Sequence, residues 1–192
     1  MNTSNNNESN TFSYWSQLWF RKKQLNFSRS YCLTAKNHLK NINTFIGNLP
    51  IDRIKALDID NIIIEYANEN PHTKRPTAKH TLKDMRNIAA SVFDYACEND
   101  VINKNPAKGI QIPKRAPQMH RRALTKKEQH WIIQMPHRMR IGALIMMLAG
   151  LRRGELIPLM WSDIDFDILV INVNKSVEKI VNKFIVKPGT KN

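Results

Sequence analysis

The sequence predicts a mainly α-helical chain with a small antiparallel β element. An all-α unit over residues 11–108 precedes a basic linker over 109–122 and a shorter α+β unit over 123–192. Three observations carry this. Apolar residues recur at spacings of three and four through residues 12–96, the mark of helices buried on one side. Between Val101 and Lys127 the chain holds eight Lys or Arg and no acid, and Pro113 and Pro117 keep it extended. After Met160 the helical period gives way to branched runs, ILVINV and KFIVK.

Residues 1–10, MNTSNNNESN, read as a disordered tail. Phe12, Trp15 and Trp19 then form one face of a helix reaching about Leu25, with core packing favoured over base stacking for these aromatics. A second helix starts near Ser28 or Ser30, turns Ala35, Leu39, Ile42 and Phe45 inward, and ends at the GNLP turn. A shorter helix covers Ile59–Glu69, with Asp58 as its cap. Thr77 caps the clearest helix, in which Leu82, Met85, Ile88, Ala89, Val92, Tyr95 and Ala96 keep the period for five turns. ENDVINKNP ends it. In the second unit Thr125 and Glu128 form a capping box. Pro136 separates that helix from an apolar one over His137–Ala149, and a short amphipathic helix covers Arg153–Met160. WSDIDFD is a turn, and the strands Ile168–Val173 and Lys183–Lys187 are expected to pair antiparallel.

Composition narrows the function. Thirty Lys and Arg against sixteen Asp and Glu give a net charge of +14 and a pI near 10.0. Such charge selects a polyanion: DNA, RNA or an anionic membrane surface, although a ribosome-associated or simply soluble basic protein shares it. The apolar fraction of 42% supports an ordinary core. A membrane span is not expected, because the longest apolar run, Ile141–Leu151, is well short of the roughly twenty residues a span needs. The N-terminus has no signal-peptide pattern. Cys32 and Cys97 stand alone and read as reduced thiols of a cytoplasmic protein. The six His are dispersed, with no metal-ligand spacing. No Gly-rich phosphate loop, GxSxG elbow or HExxH motif occurs, so neither metal nor cofactor is expected.

The basic stretch offers Lys104, Lys108, Lys114, Arg115, Arg121 and Arg122 as candidate phosphate ligands. Each such contact releases counterions from a nucleic acid. The alternative is a solvated linker whose charge is incidental. A second feature is the arginine pair Arg152 and Arg153, directly behind the apolar run IGALIMMLAGL. The plain reading places both at a helix C-terminus, where cations suit the dipole.

The order of motifs resembles the tyrosine recombinases of the phage and transposon integrase family. ALTKKE (Ala123–Glu128), GLRRGEL (Gly150–Leu156), LMWSDIDFD from Leu159, and NKNPAKGIQIPK (Asn103–Lys114) match that family in sequence and spacing. The resemblance implies a helical core-binding domain over 11–108 and part of the catalytic domain over 123–192, clamping double-stranded DNA. It implies site-specific recombination or integration of a mobile element by metal-free strand transfer through a 3′-phosphotyrosine. It further implies a homo-tetramer on paired sites and a cytoplasmic, nucleoid-associated location. By position Arg152 falls on the first catalytic arginine. The chemistry agrees, since a fixed guanidinium donates two hydrogen bonds to the charge that develops on non-bridging phosphate oxygens. Glu155 falls on the family's acidic position and is expected to brace Arg152 by an i,i+3 contact. Arg153 is expected to face solvent or the DNA backbone. The family's lysine general acid falls in VKPGTKN, on Lys191 first and Lys187 second.

The family pattern continues with an H-x-x-R box and a nucleophilic tyrosine, which this sequence does not show after Arg152. Tyr14, Tyr31, Tyr66 and Tyr95 all lie in the N-terminal helices, and HRMR at His137–Arg140 precedes the arginine box and reads as chance. The expectation is a C-terminally truncated member whose second unit exposes apolar faces and an unpaired strand edge. An inactive DNA-binding remnant is the alternative to a recombinase. A third reading, an unrelated RNA-binding helical protein, finds no motif to support it.

Overall fold

The computed structural model describes residues 10–118, 120–180 and 183–189. The chain divides into two compact units, Met1–His120 and Arg121–Asn192. The architecture is mainly helical with two small antiparallel sheets, as the patterning predicts.

Among its described residues the first unit packs four α-helices: α1 (Phe12–Gln24), α2 (Arg29–Ile46), α3 (Ala56–Asn68) and α4 (Lys79–Glu98). Local chemistry sets their starts. The hydroxyls of Thr11 and Ser28 accept the N–H groups of Tyr14 and Tyr31, each at 3.3 Å, and so satisfy first-turn donors. Two expected caps differ. Asp58 does not precede α3 but sits in its first turn, where its carboxylate accepts the Lys55 N–H at 2.8 Å. The helix therefore starts three residues earlier than the apolar period suggests, because that period begins only where the chain meets the core. Thr77 is buried and held by the core instead of capping α4. Its N–H donates to the Tyr66 carbonyl at 3.0 Å and its hydroxyl accepts from Asn70, which leaves Ala78 at the N-cap. Of the expected N-terminal tail, Asn10 is fixed by bonds to Ile51 and Asp52, and residues 1–9 lie outside the described residues.

The α faces converge on one apolar cluster. Phe12, Trp19, Ile42, Ile63, Tyr66, Leu82, Val92 and Phe93 are essentially sealed from water. Each fully buried large aliphatic or phenyl side chain contributes about 1.5–3 kcal/mol relative to exposure. The Phe12 and Phe93 rings meet at 5.2 Å across the unit. Phe45 sits at the rim, edge-on to Tyr66.

The stretch after α4 is packed, not free. Asn105 is buried and donates to the Ala90 carbonyl and the Asp94 carboxylate at 2.8 and 2.9 Å. Arg86 donates to the Ile110 carbonyl at 2.9 Å, and the Lys79 N–H donates to the Pro117 carbonyl at 2.8 Å. The order of partners, Asp94 then Arg86 then Lys79, shows residues 105–117 running back along α4. Ala107, Ile110 and Ala116 are buried against the core. The stretch is not simply extended, since it turns at residues 106–109 and again where the Ala116 N–H donates to the Pro113 carbonyl at 3.1 Å, and the small and apolar residues between its cations lay it onto the helix.

The second unit holds α5 (Lys126–Gln134), α6 (Arg140–Leu148), the single turn α7 (Arg153–Leu156), and strands β1 (Ile164–Asp165), β2 (Val170–Ile171), β3 (Lys175–Ile180) and β4 (Lys183–Pro188). The Thr125–Glu128 capping box opens α5 as expected. α6 starts later than His137 because that residue's ring accepts the Met139 N–H at 3.1 Å and holds a turn. α7 stops short of Met160 because Pro158 has no N–H with which to continue the helical ladder, although Ile157 before it still holds helical φ and ψ of −59° and −44°. The expected strand Ile168–Val173 shrinks to Val170–Ile171, which pairs with β1. Asp165 accepts the N–H groups of Asp167 and Ile168 at 3.0 and 3.1 Å, and Leu169 takes a φ of 56°, so the intervening residues form the hairpin loop. β4 pairs with β3, not with the ILVINV run. β3, KSVEKI, interrupts apolar alternation with charges, which is why periodicity missed it. Among the described residues no helix is long and apolar enough to cross a membrane.

Candidate functional site

The arginine pair does not end a helix. α6 finishes at Leu148, Gly150 adopts a left-handed φ of 71°, and the chain re-enters helix with Arg152 as N-cap of α7. Glycine suits that reversal because it carries no Cβ penalty. Glu155 then grips Arg152 twice. One carboxylate oxygen accepts the Arg152 backbone N–H at 2.9 Å and the other accepts its Nη1–H at 2.9 Å. These bonds, the backbone one first, hold the Glu155 carboxyl below the usual range. The Glu155 side chain is only 11% exposed while that of Arg152 is 72% exposed. One guanidinium edge is thus anchored and the remainder faces solvent, a geometry suited to an anionic oxygen. Arg153 is exposed.

Behind the arginine lies a group that sequence reasoning missed. Asp163, buried, accepts the Met160 N–H at 2.9 Å, and both its oxygens receive Lys175 Nζ at 3.0 and 3.1 Å. The Met160 bond and then Lys175 hold its carboxyl below the usual range. Glu155, Asp163 and Lys175 line one small crevice. The missed signal was the Asp of WSDID, three residues from Met160, the spacing of a turn cap. Its partner Lys175 belongs to the unforeseen strand.

The lysine candidates separate. Lys191 lies outside the described residues. Lys187 lies in β4, not in a turn, and its ammonium pairs with Glu178, a diagonal neighbour across the β3–β4 ladder.

The six basic candidates also divide. Lys108 pairs with Asp94 at 2.9 Å, which raises its pKa. Arg122 makes a bidentate fork to Glu128 with both distances 2.7 Å, and that fork is the largest cause holding the Glu128 carboxyl far below its usual range. Lys104, Lys114, Arg115 and Arg121 are exposed and have no acidic partner among the described residues. Spacing alone could not sort them, because Asp94 lies on α4 and Glu128 serves first as a helix cap.

Comparisons with known proteins fit this layout. The phage integrase central domain matches residues 12–112. The ICEBs1 integrase of Bacillus subtilis (strain 168) is 32% identical over 117 residues, covering 57% of this chain and 32% of that protein. The chain spans only 32–43% of the length of the curated relatives it matches. Among solved structures, the Tn1549 transposon integrase in complex with circular intermediate DNA superposes with a TM-score of 0.77 at 18% identity, over 93% of this chain and 59% of that one. A lambda integrase tetramer bound to a Holliday junction superposes with a TM-score of 0.67 at 19% identity, over 96% of this chain and 52% of that one. At these identities the structures speak for the fold alone. The central-domain match spans more than half of the sequence, and the chain belongs to the phage integrase family of tyrosine recombinases.

Proposed function

We propose that the chain supplies the DNA-binding and first-arginine portion of a site-specific recombinase that integrates a mobile element. The observation that carries this reading is Arg152, held from below by Glu155 and open on its other edge. In strand transfer that free edge would donate to the non-bridging oxygens of the scissile phosphate, where charge grows in the transition state. Glu155 would set the guanidinium's orientation. Lys104, Lys114, Arg115 and Arg121 would contact phosphates of duplex DNA, with Lys108 and Arg122 contributing less because acids already neutralise them. The domain boundaries of the sequence reading, the tetrameric assembly and Lys191 as general acid belong to the same proposal. The tyrosines do not share Arg152's unit, so the part assigned to these residues is binding and charge stabilisation, not nucleophilic attack.

The test is DNA affinity against salt. Binding to duplex DNA should weaken linearly on a log–log plot, with a slope of about 0.9 per phosphate contact. Replacing Lys104, Lys114, Arg115 and Arg121 together by Ala should flatten the slope by about 3–4. The Lys108→Ala and Arg122→Ala changes should alter it by less than one unit together. A preference for RNA over duplex DNA at equal salt, or an unchanged slope in the fourfold variant, would defeat the reading.

A further inference from the structure

The Asp163–Lys175 pair shares a crevice with Glu155, and a short series of contacts ties it to the turn that carries Arg152. α7 packs on β3 so closely that a Cβ on Gly154 would stand 3.1 Å from the Val177 carbonyl oxygen. β3 begins at Lys175, whose Nζ holds both oxygens of Asp163. Asp163 in turn accepts the Met160 N–H and, through its own carbonyl, the Asn172 N–H at 2.8 Å. The chain from Arg152 through α7 and the Leu156–Met160 turn to Asp163 is thus closed against β3 at two points. Glu155, the residue that grips Arg152, faces the crevice between them.

We infer that Asp163 and Lys175 are positioning residues that clamp α7 against β3 and so fix the direction of the Arg152 guanidinium. The pair touches no phosphate itself. A charge pair suits this task better than apolar contact because Lys175 reaches both carboxylate oxygens, which sets an angle as well as a distance. Loss of the clamp would leave α7, a single turn, free to rock on Gly150 and Pro158. Arg152 would keep its Glu155 partner only part of the time.

The inference rests on Arg152 being the phosphate ligand proposed above, and the experiment separates the two ideas. The full chain is labelled in its arginine side chains, and the Arg152 guanidinium signals are identified by their disappearance in Arg152→Lys. In the native protein they should show the slow rotation of an anchored guanidinium. In Asp163→Asn and Lys175→Gln they should average, and Lys175→Arg should restore them. Duplex-DNA affinity should fall about tenfold in Arg152→Ala. Lys175→Gln should produce a fall no larger than that, and none in the Arg152→Ala background. Unchanged guanidinium signals in a folded Lys175→Gln protein would overturn the clamp, as would an equal loss of affinity with and without Arg152. Unfolding of the second unit by Lys175→Gln would overturn it as well, since the pair would then be a strut for the whole unit. If Arg152→Ala leaves DNA affinity intact, the phosphate role fails while the guanidinium signals still decide the clamp.

Discussion

Among the described residues the most apolar helix is not the best buried. α6, RIGALIMML, has Ile141 at 70% and Leu148 at 77% exposure, whereas α4, far richer in charge, seals Leu82, Val92, Phe93 and Ala96 at 0%. The contrast extends to the two units. All of the buried apolar cluster lies before residue 117, and in the second unit only Leu151 and Asp163 are buried among the described residues. Apolar composition supplies the material for a core, but neighbours on every side make one. α4 has α1, α2 and α3 around it and residues 105–117 along it. α6 packs on one short helix on each side in sequence, α5 and α7.

The largest test of this contrast is a matched pair of truncations. Phe93→Ala removes a ring with no exposure and should cost about 3–5 kcal/mol. Trp161→Ala removes a larger side chain that is 80% exposed and should change stability by less than about 0.5 kcal/mol. Denaturant unfolding measures both. Limited proteolysis gives the same comparison without mutation: the first cuts should fall in the second unit, leaving a resistant fragment that contains α1 to α4. Equal costs, or one resistant body containing both units, would break the distinction.

What the sequence made legible follows the same division. In the first unit long helices repeat their period often enough to identify the buried face, so Phe12, Trp19, Ile42 and Val92 were all placed correctly. Errors there fell at the caps Asp58 and Thr77, at Phe45, which sits at the rim, and in the expected linker, whose residues 109–117 pack along α4, all places where tertiary partners override local signals. In the second unit the elements are too short for a period to speak. Pro158 cut one helix to a turn, Asp165 turned half a strand into a hairpin loop, and β3 was hidden by its own charges. The candidate site was legible only in part. The i,i+3 contact of Arg152 and Glu155 follows from spacing, but Asp163 meeting Lys175 spans twelve residues and depends on a strand that patterning did not reveal. The same limit applied to the cations, since their neutralising acids sit on other elements.

A middle-sized test uses two glycines of the second unit. A Cβ at Gly154 would meet the Val177 backbone carbonyl at 3.1 Å, and backbone cannot yield cheaply. Gly154→Ala should therefore destabilise the second unit by about 1–3 kcal/mol. At Gly142, inside α6, the added Cβ meets only the tip of Leu156 at 3.3 Å, a side chain free to move. Gly142→Ala should be neutral or stabilise by up to about 1 kcal/mol through helix propensity. Thermal unfolding of both variants checks the pair. A destabilising Gly142→Ala would mean that the second unit is packed more tightly than its exposure implies.

The smallest effect separates the units by pH. His38 is 8% exposed, its Nδ1 is sealed without a hydrogen-bond partner among the described residues, and burial pushes its pKa below 6.5 against a weaker pull from Asp84. A group whose folded pKa is depressed contributes stability that is complete above its unfolded value and is lost as pH falls through the folded one. The first unit should therefore begin to weaken just below pH 6.5. The carboxyls of Glu128, Glu155 and Asp163 are depressed as well, but from unfolded values of 4.5 and 3.8, so their contributions to the second unit persist until the pH falls below those values. In the intervening window only the better-packed unit should lose stability, the reverse of the order that packing sets at neutral pH. Hydrogen exchange at α4 amides, corrected for the intrinsic pH dependence, reads this directly. Protection should decline across the window in the native chain and stay level in His38→Gln. A decline that survives the substitution would assign the effect to another group and leave His38 a silent buried base.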